Sequence, residues 1–168
     1  QIREPGGSIN SEKIRKLILN NKSNFNNFTD LLLYLSSRSE NMEKIIRKNY
    51  KKKIILIDRF VDSTVAYQHY GMGINLKFIN FINSFFTKNI KINLTFLNLV
   101  NSNNLRLRLT KRKKLNRYDK FKINFYNKVQ KGYLKLSKNN KKKYIIINSN
   151  ETISYNKKKI LTEVKKFL

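Results

Sequence analysis

An acid and an arginine stand together at the end of an apolar run, Lys53-Ile54-Ile55-Leu56-Ile57-Asp58-Arg59. In open α/β sheets ligands bind outside the carboxyl ends of the strands, so a strand ending here would deliver both side chains to a binding site. The pair suits a nucleotide phosphate. A carboxylate can orient Mg2+ or its waters, and a guanidinium can grip a phosphate through two parallel hydrogen bonds. A strand-end salt bridge would use the same two residues, and the pair in isolation does not separate the two readings. Composition narrows the remaining chemistry. With no Cys and a single His, His69, disulfides and thiolate zinc sites are excluded, and a histidine metal cluster or a Ser-His-Asp triad is disfavoured. Any metal has to be held by oxygen.

Positioning those residues takes alternating strands and helices. Apolar runs predict strands over residues 53–58, 92–100 and 143–148, the first and last bounded by Lys and polar residues as buried strands often are. Between them the apolar spacing switches to the helical period. Ile14, Leu17 and Ile18 follow the candidate caps Ser8, Asn10 and Ser11, and Phe28, Leu31, Leu32 and Leu35 begin a second helix running past Arg38 towards Ile46. Phe78, Ile79, Ile82, Phe85 and Phe86 make a third stripe, and Phe121, Phe125, Val129 and Tyr133 a fourth. Ile160, Leu161, Val164, Phe167 and Leu168 mark a C-terminal helix. The alternation is that of a parallel sheet flanked by helices. The Asn-rich stretch 20–27 reads as a loop, and there is no internal repeat.

A length of 168 residues predicts one domain, and 11 Phe and 9 Tyr argue for a packed core. No apolar run approaches the roughly 18 residues needed to cross a bilayer, and the N-terminus lacks the layout of a secretory signal, so a soluble, cytoplasmic protein is expected. The net charge of +27 invites a nucleic-acid reading. Against it, 28 Lys, 25 Asn and 20 Ile stand beside only 9 Arg, the bias of an AT-rich genome. The basic runs at 51–53, 111–114, 141–143 and 157–159 are also scattered, as solvated surface is. No specific nucleic acid and no membrane partner is expected.

Three strings act together. Arg3-Glu4-Pro5-Gly6-Gly7-Ser8, then Tyr34 to Arg38 on a helix, then Asp58-Arg59-Phe60-Val61-Asp62-Ser63-Thr64-Val65-Ala66-Tyr67-Gln68, resemble in order and spacing the signature of thymidylate kinases. Asn116-Arg117-Tyr118-Asp119, followed by Phe125-Tyr126 and Tyr133-Leu134, resembles the lid-to-helix segment of that family, so the likeness covers nearly the whole chain. The resemblance implies one nucleoside-monophosphate-kinase-like domain over 1–168, with a P-loop NTPase-like doubly wound parallel sheet, flanking helices and a lid at about 104–117. It implies transfer of the γ-phosphoryl group of ATP to dTMP with Mg2+. The attacking group is already an anionic phosphate oxygen, so such catalysis is positioning and charge neutralisation. By resemblance, Arg59 grips the acceptor phosphate, with Asp58 beside it near the metal and Glu4 a second candidate ligand. Pro5 forms a close-approach turn, Tyr34 stacks on the thymine, and Arg38 bonds a thymine carbonyl. Thr64 and Gln68 reach the base, and Tyr67 packs on the sugar in a way that favours deoxyribose. Arg106, Arg108, Lys111, Arg112 and Arg117 are the lid cations, Arg117 being the one whose neighbours match. A homodimer is expected from the family.

The chain also departs from that pattern. Asn116 and Asp119 stand where the family commonly has Asp and Glu, and Gly71-Met72-Gly73 stands in place of a common Gly-Arg-Gly. No Gly-x-x-x-x-Gly-Lys-Ser/Thr loop occurs, and the start at Gln1 is consistent with its loss together with the first strand and helix. The sheet is therefore expected to be incomplete, with an empty slot between the strand ending at Asp58 and strand 92–100, and the fragment alone to be inactive. A degenerate dTMP-binding relative and a basic nucleic-acid-binding protein are the rival readings.

Overall fold

The computed structural model describes residues 1–166. Strand β1 (Ile2–Arg3) leads through a Pro-Gly-Gly turn into α1 (Ile9–Leu19), and α2 (Asn27–Asn41) follows. A π-turn (Met42–Ile46) and the short α3 (Arg47–Asn49) prolong α2. β2 (Ile57–Asp58) is followed by α4 (Val61–Thr64), which runs on as a π-turn (Val65–Gly71), and then by α5 (Leu76–Thr87). The second half comprises β3 (Thr95–Leu99), α6 (Ser102–Thr110), α7 (Ile123–Asn139), β4 (Tyr144–Asn148) and α8 (Ile153–Lys165). Among the described residues no helix is long and apolar enough to cross a membrane.

Short polar side chains set where the helices begin. Ser8, Asn26, Asn75, Asn101 and Thr152 each accept a hydrogen bond from the backbone N–H three residues on, which satisfies one of the free donors of a first turn. Part of the asparagine excess is thus put to use at helix starts. The interior faces then pack. Leu31 and Leu35 of α2 meet Val65 and Ile79 in one core, while Ile2, Met42 and Ile46 form a second, and Phe86 touches both. At the crossing of α7 with the Val65–Gly71 turn, a Cβ on Gly132 would lie 2.5 Å from the Tyr70 ring. Gly132→Ala is therefore expected to destabilise the fold by about 1–3 kcal/mol through overpacking, read as a lower denaturation midpoint.

The strands form two parallel pairs, β1 with β2 and β3 with β4, the latter in register from Thr95↔Tyr144 to Leu99↔Asn148. The pairs are not hydrogen-bonded to each other. Both pairs are parallel and flanked by helices, as the alternation of strands and helices predicts. The run 53–58 becomes a strand only over Ile57–Asp58, where β1 lies alongside, and Ile54 and Leu56 are 68% and 60% exposed. The run is not the buried strand its apolar residues suggested: Ile57 is half-buried and Asp58 exposed, because among the described residues no element packs over the face that carries Ile54, Leu56 and Asp58. Strand 92–100 shortens in the same way to Thr95–Leu99. Of the predicted C-terminal helix, Phe167 and Leu168 lie outside the described residues. Periodicity gave no warning of the helix over 61–71. Its turn is widened, with Met72 N–H donating to the Tyr67 carbonyl at 3.0 Å, five residues back.

Candidate active site

Three chain segments meet at one small, tightly lined cavity. The residue after β1 contributes Glu4, α2 contributes Tyr34 and Arg38, and the segment after β2 contributes Arg59, Phe60, Ser63, Thr64, Tyr67 and Gln68. Helical spacing explains the grouping. Tyr34 and Arg38 are four residues apart, as are Ser63 and Tyr67, and Thr64 and Gln68, so each pair projects from one face. The structure thereby brings together Tyr34, Arg38, Arg59, Thr64, Tyr67 and Gln68 from two separate stretches of the chain.

Arg38 is 2% exposed and held on three sides. Its Nε donates to Glu4 Oε2 at 2.9 Å, Nη1 to Asn83 Oδ1 at 2.8 Å and Nη2 to Thr64 Oγ1 at 2.8 Å. Its Cζ sits 5.4 Å from the centroid of the Phe60 ring. Asn83, on α5, is itself fixed by donating to the Val61 carbonyl at 3.3 Å. Burial pushes the Glu4 carboxyl above the ordinary carboxylate value against the opposing pull of Arg38. Glu4 Oε1 is buried without a hydrogen-bond partner. Thr64 and Glu4 therefore act on Arg38 first, and through it on whatever fills the cavity.

The other end of the cavity is cationic. Arg59 follows β2 with φ at 65°, in the left-handed region that non-glycine residues rarely adopt, and its guanidinium stands 4.7 Å from the centroid of the Tyr67 ring. Arg15, on one face of α1, reaches the same region and donates to the Pro5 carbonyl at 2.6 Å. Burial, and then the charges of Arg3 and Arg59, lower its pKa from the usual arginine value. Guanidiniums held close enough to repel one another favour an anion between them. Arg3 is paired with Glu12, which also accepts from Gly7 N–H at 2.9 Å. Pro5 is buried behind a cis peptide bond after Glu4, and the exposed Asp58 pairs in register with Arg3 through its backbone.

Aromatic rings close the remaining side. Tyr118 meets Tyr34 and Tyr67 edge-on, with centroids 6.0 Å apart in each case, and Gln68 Nε2 approaches the Tyr118 hydroxyl at 3.5 Å. Burial holds Tyr34 protonated, its pKa pushed up to about 12. Of the lid cations, Arg106 and Lys111 are exposed, and Arg112 pairs with Asp119. Arg108 donates to the Ser149 carbonyl at the rim of a second cleft, between α6 and α8, which Glu151 and Asn156 also line. Arg117 is placed apart from the cavity: its Nη2 pairs with Asp30 and its Nε donates to the Ile18 carbonyl at 3.0 Å. Asn116 and Asp119 bond each other, Nδ2 to Oδ2 at 2.7 Å. Sequence reasoning missed Arg15, Asn83 and Asp30. The arginine had a signal, standing three residues after Glu12 in a helix that starts beside the glycine turn, whereas Asn83 carried none.

Parallel strands that carry Arg3 and Arg59 to one end, beside an aromatic-walled cavity, define an α/β protein with a candidate anion site. A family model described as thymidylate kinase matches residues 1–160. A thymidylate kinase of Wolbachia pipientis wMel is 37% identical over 136 residues, 80% of this chain and 66% of the relative. One from Thermoanaerobacter sp. strain X514 is 33% identical over 168 residues, 99% of this chain and 82% of the relative. The crystal structure of thymidylate kinase from Ehrlichia chaffeensis superimposes with a TM-score of 0.76 at 27% identity, covering 98% of this chain and 78% of that one. The chain belongs to the thymidylate kinase family, a family of nucleoside monophosphate kinases. It spans about two thirds of the Wolbachia relative's length.

Proposed function

We propose that this protein transfers the γ-phosphoryl group of ATP to the 5′-phosphate of dTMP, giving dTDP. The observation that carries the reading is the convergence of Tyr34, Arg38, Arg59, Thr64, Tyr67 and Gln68 on one cavity. Arg59, with Arg15 near it, holds the acceptor phosphate. Tyr34 and Phe60 offer faces to the thymine, and Gln68 and the N–H groups that Arg38 does not spend on Glu4, Asn83 and Thr64 bond its polar edge. Tyr67 fills the space beside the sugar and disfavours a 2′-hydroxyl. No base is required, because the attacking oxygen is already ionised. The rate comes from alignment and from cations placed where charge develops.

Magnesium fits this site as an ion carried by substrate phosphates. Mg2+ keeps most of its waters and takes one or two carboxylates; the exposed Asp58 could supply one, whereas Glu4 is buried and spent on Arg38 and does not fit a hydrated ion. No group of three or more acidic, His or Cys side chains able to hold a metal occurs among the described residues. When bound, the ion neutralises phosphate charge.

The reading is tested by thermal denaturation with dTMP and by transfer with the full-length chain. At a dTMP concentration of about 100 times its Kd, binding adds about 2.7 kcal/mol and raises Tm by roughly 5–10 °C. The ribonucleotide analogue is expected to raise it less. Tight, salt-sensitive nucleic-acid binding with no response to dTMP would overturn the reading.

A further inference from the structure

We infer that Asp30 is a positioning residue that fixes the stem of the lid against the nucleoside side of the site, an inference that rests on the kinase reading above. Asp30 lies in the first turn of α2, is 1% exposed and uses each oxygen on a different partner. Oδ1 takes Arg117 Nη2, and Oδ2 takes the Tyr118 hydroxyl. Both partners come from the segment that closes the lid, 87 and 88 residues away in the chain. Burial, with the nearby Tyr34 and Asp30, holds the Tyr118 phenol well above its ordinary value, so it is the donor.

The placement matters because of what else α2 carries. Asp30, Tyr34 and Arg38 are four residues apart in succession and share one face of the helix. One row of side chains therefore holds the lid stem, offers a ring to the cavity and supplies the buried guanidinium. Tyr118 is the piece between them. Asp30 holds its hydroxyl while its ring stands edge-on to Tyr34 and Tyr67, and the Tyr126 hydroxyl donates to its backbone carbonyl at 2.7 Å. The rest of the stem docks on the end of α1 and the loop after it. Asn21 Nδ2 donates to the Leu115 carbonyl at 2.8 Å, and Arg117 N–H donates to the Leu19 carbonyl at 3.3 Å. The acid thus ties lid position to the shape of the base-binding wall. Removing it frees Arg117 and Tyr118 together, and Tyr34 and Tyr67 lose the ring behind them.

The test uses Asp30→Asn, Asp30→Glu and Tyr118→Phe in the full-length chain, with dTMP binding by calorimetry and hydrogen exchange over residues 111–121. Asp30→Asn is expected to weaken dTMP binding by about tenfold and to speed ligand-free exchange over 111–121 by at least about tenfold. Tyr118→Phe is expected to weaken binding by about threefold and to add little to Asp30→Asn, because both act through one contact. Asp30→Glu, which keeps the charge, recovers part of both effects. A purely structural ion pair would lower the denaturation midpoint and leave the dTMP Kd of the folded protein within twofold of wild type, and that result overturns the inference. Should Asp30→Asn fail to fold, Tyr118→Phe decides the matter by the same two measurements. Loss of dTMP binding by the wild-type chain would instead refute the kinase reading, and unchanged ligand-free exchange in Asp30→Asn would refute the anchor separately.

Discussion

Arg59→Gly is expected to lower phosphoryl transfer by about 10²-fold or more while leaving the folded state within about 1 kcal/mol of wild type. Two opposing terms produce the small stability change. Arg59 sits at φ 65°, where a side chain is strained and glycine is not, so the substitution relieves strain. Against this stand the extra unfolded-state freedom of glycine and the loss of the guanidinium over Tyr67, worth about 0.5–1 kcal/mol. The activity change has no such compensation, because a cation at the acceptor phosphate acts where charge develops in transfer. Steady-state kcat/KM and a urea midpoint on the same preparation check both halves. Activity within tenfold of wild type would remove Arg59 from its assigned role.

Arg38→Met is expected to cost about 3–5 kcal/mol of stability, far more than a surface arginine would. The cause is the acid it leaves behind. Glu4 has 4% side-chain exposure, one of its oxygens already lacks a partner, and Arg38 is its only ion-pair partner among the described residues. Removing the guanidinium strands that carboxyl, and Asn83 and Thr64 each lose a hydrogen-bond donor. The double variant Arg38→Met with Glu4→Gln is expected to regain at least about 1 kcal/mol, since the pair couples directly. Urea unfolding of the two single variants and the double closes the cycle. If the double variant is no more stable than Arg38→Met, the stranded acid is not the source of the loss. dTMP binding should fall in both variants, as neither presents the guanidinium to the cavity.

Different parts of the site were legible to different degrees. The position of Arg59 at the end of an apolar run was legible and the structure sets it at the cavity, whereas its neighbour Asp58 is exposed and outside the cavity lining. The faces of α2 and α7 followed from apolar spacing, and of the candidate caps Ser8 marked where α1 begins, Asn10 and Ser11 lying inside it. The network around Arg38 could not be read this way. Its partners lie 34, 45 and 26 residues away, and no local pattern encodes such a meeting. Resemblance assigned Arg38 and Thr64 to the thymine without showing that they bond each other. The same holds for Arg117, assigned to the lid by its neighbours in sequence and held in the structure by an acid on α2.

The sequence by itself determined the family and the alternation of strands with most of the helices, and narrowed which residues could meet a phosphate, because these depend on residue type, spacing and chain order. Tertiary structure decided which polar groups are spent on one another. It committed all three Arg38 nitrogens to protein partners, gave both Asp30 oxygens to the lid stem and left the Leu56 side chain exposed. The physical reason is that burial and hydrogen-bond partnership belong to pairs of distant segments. A residue's own identity limits the bonds it can make, and only packing selects among them.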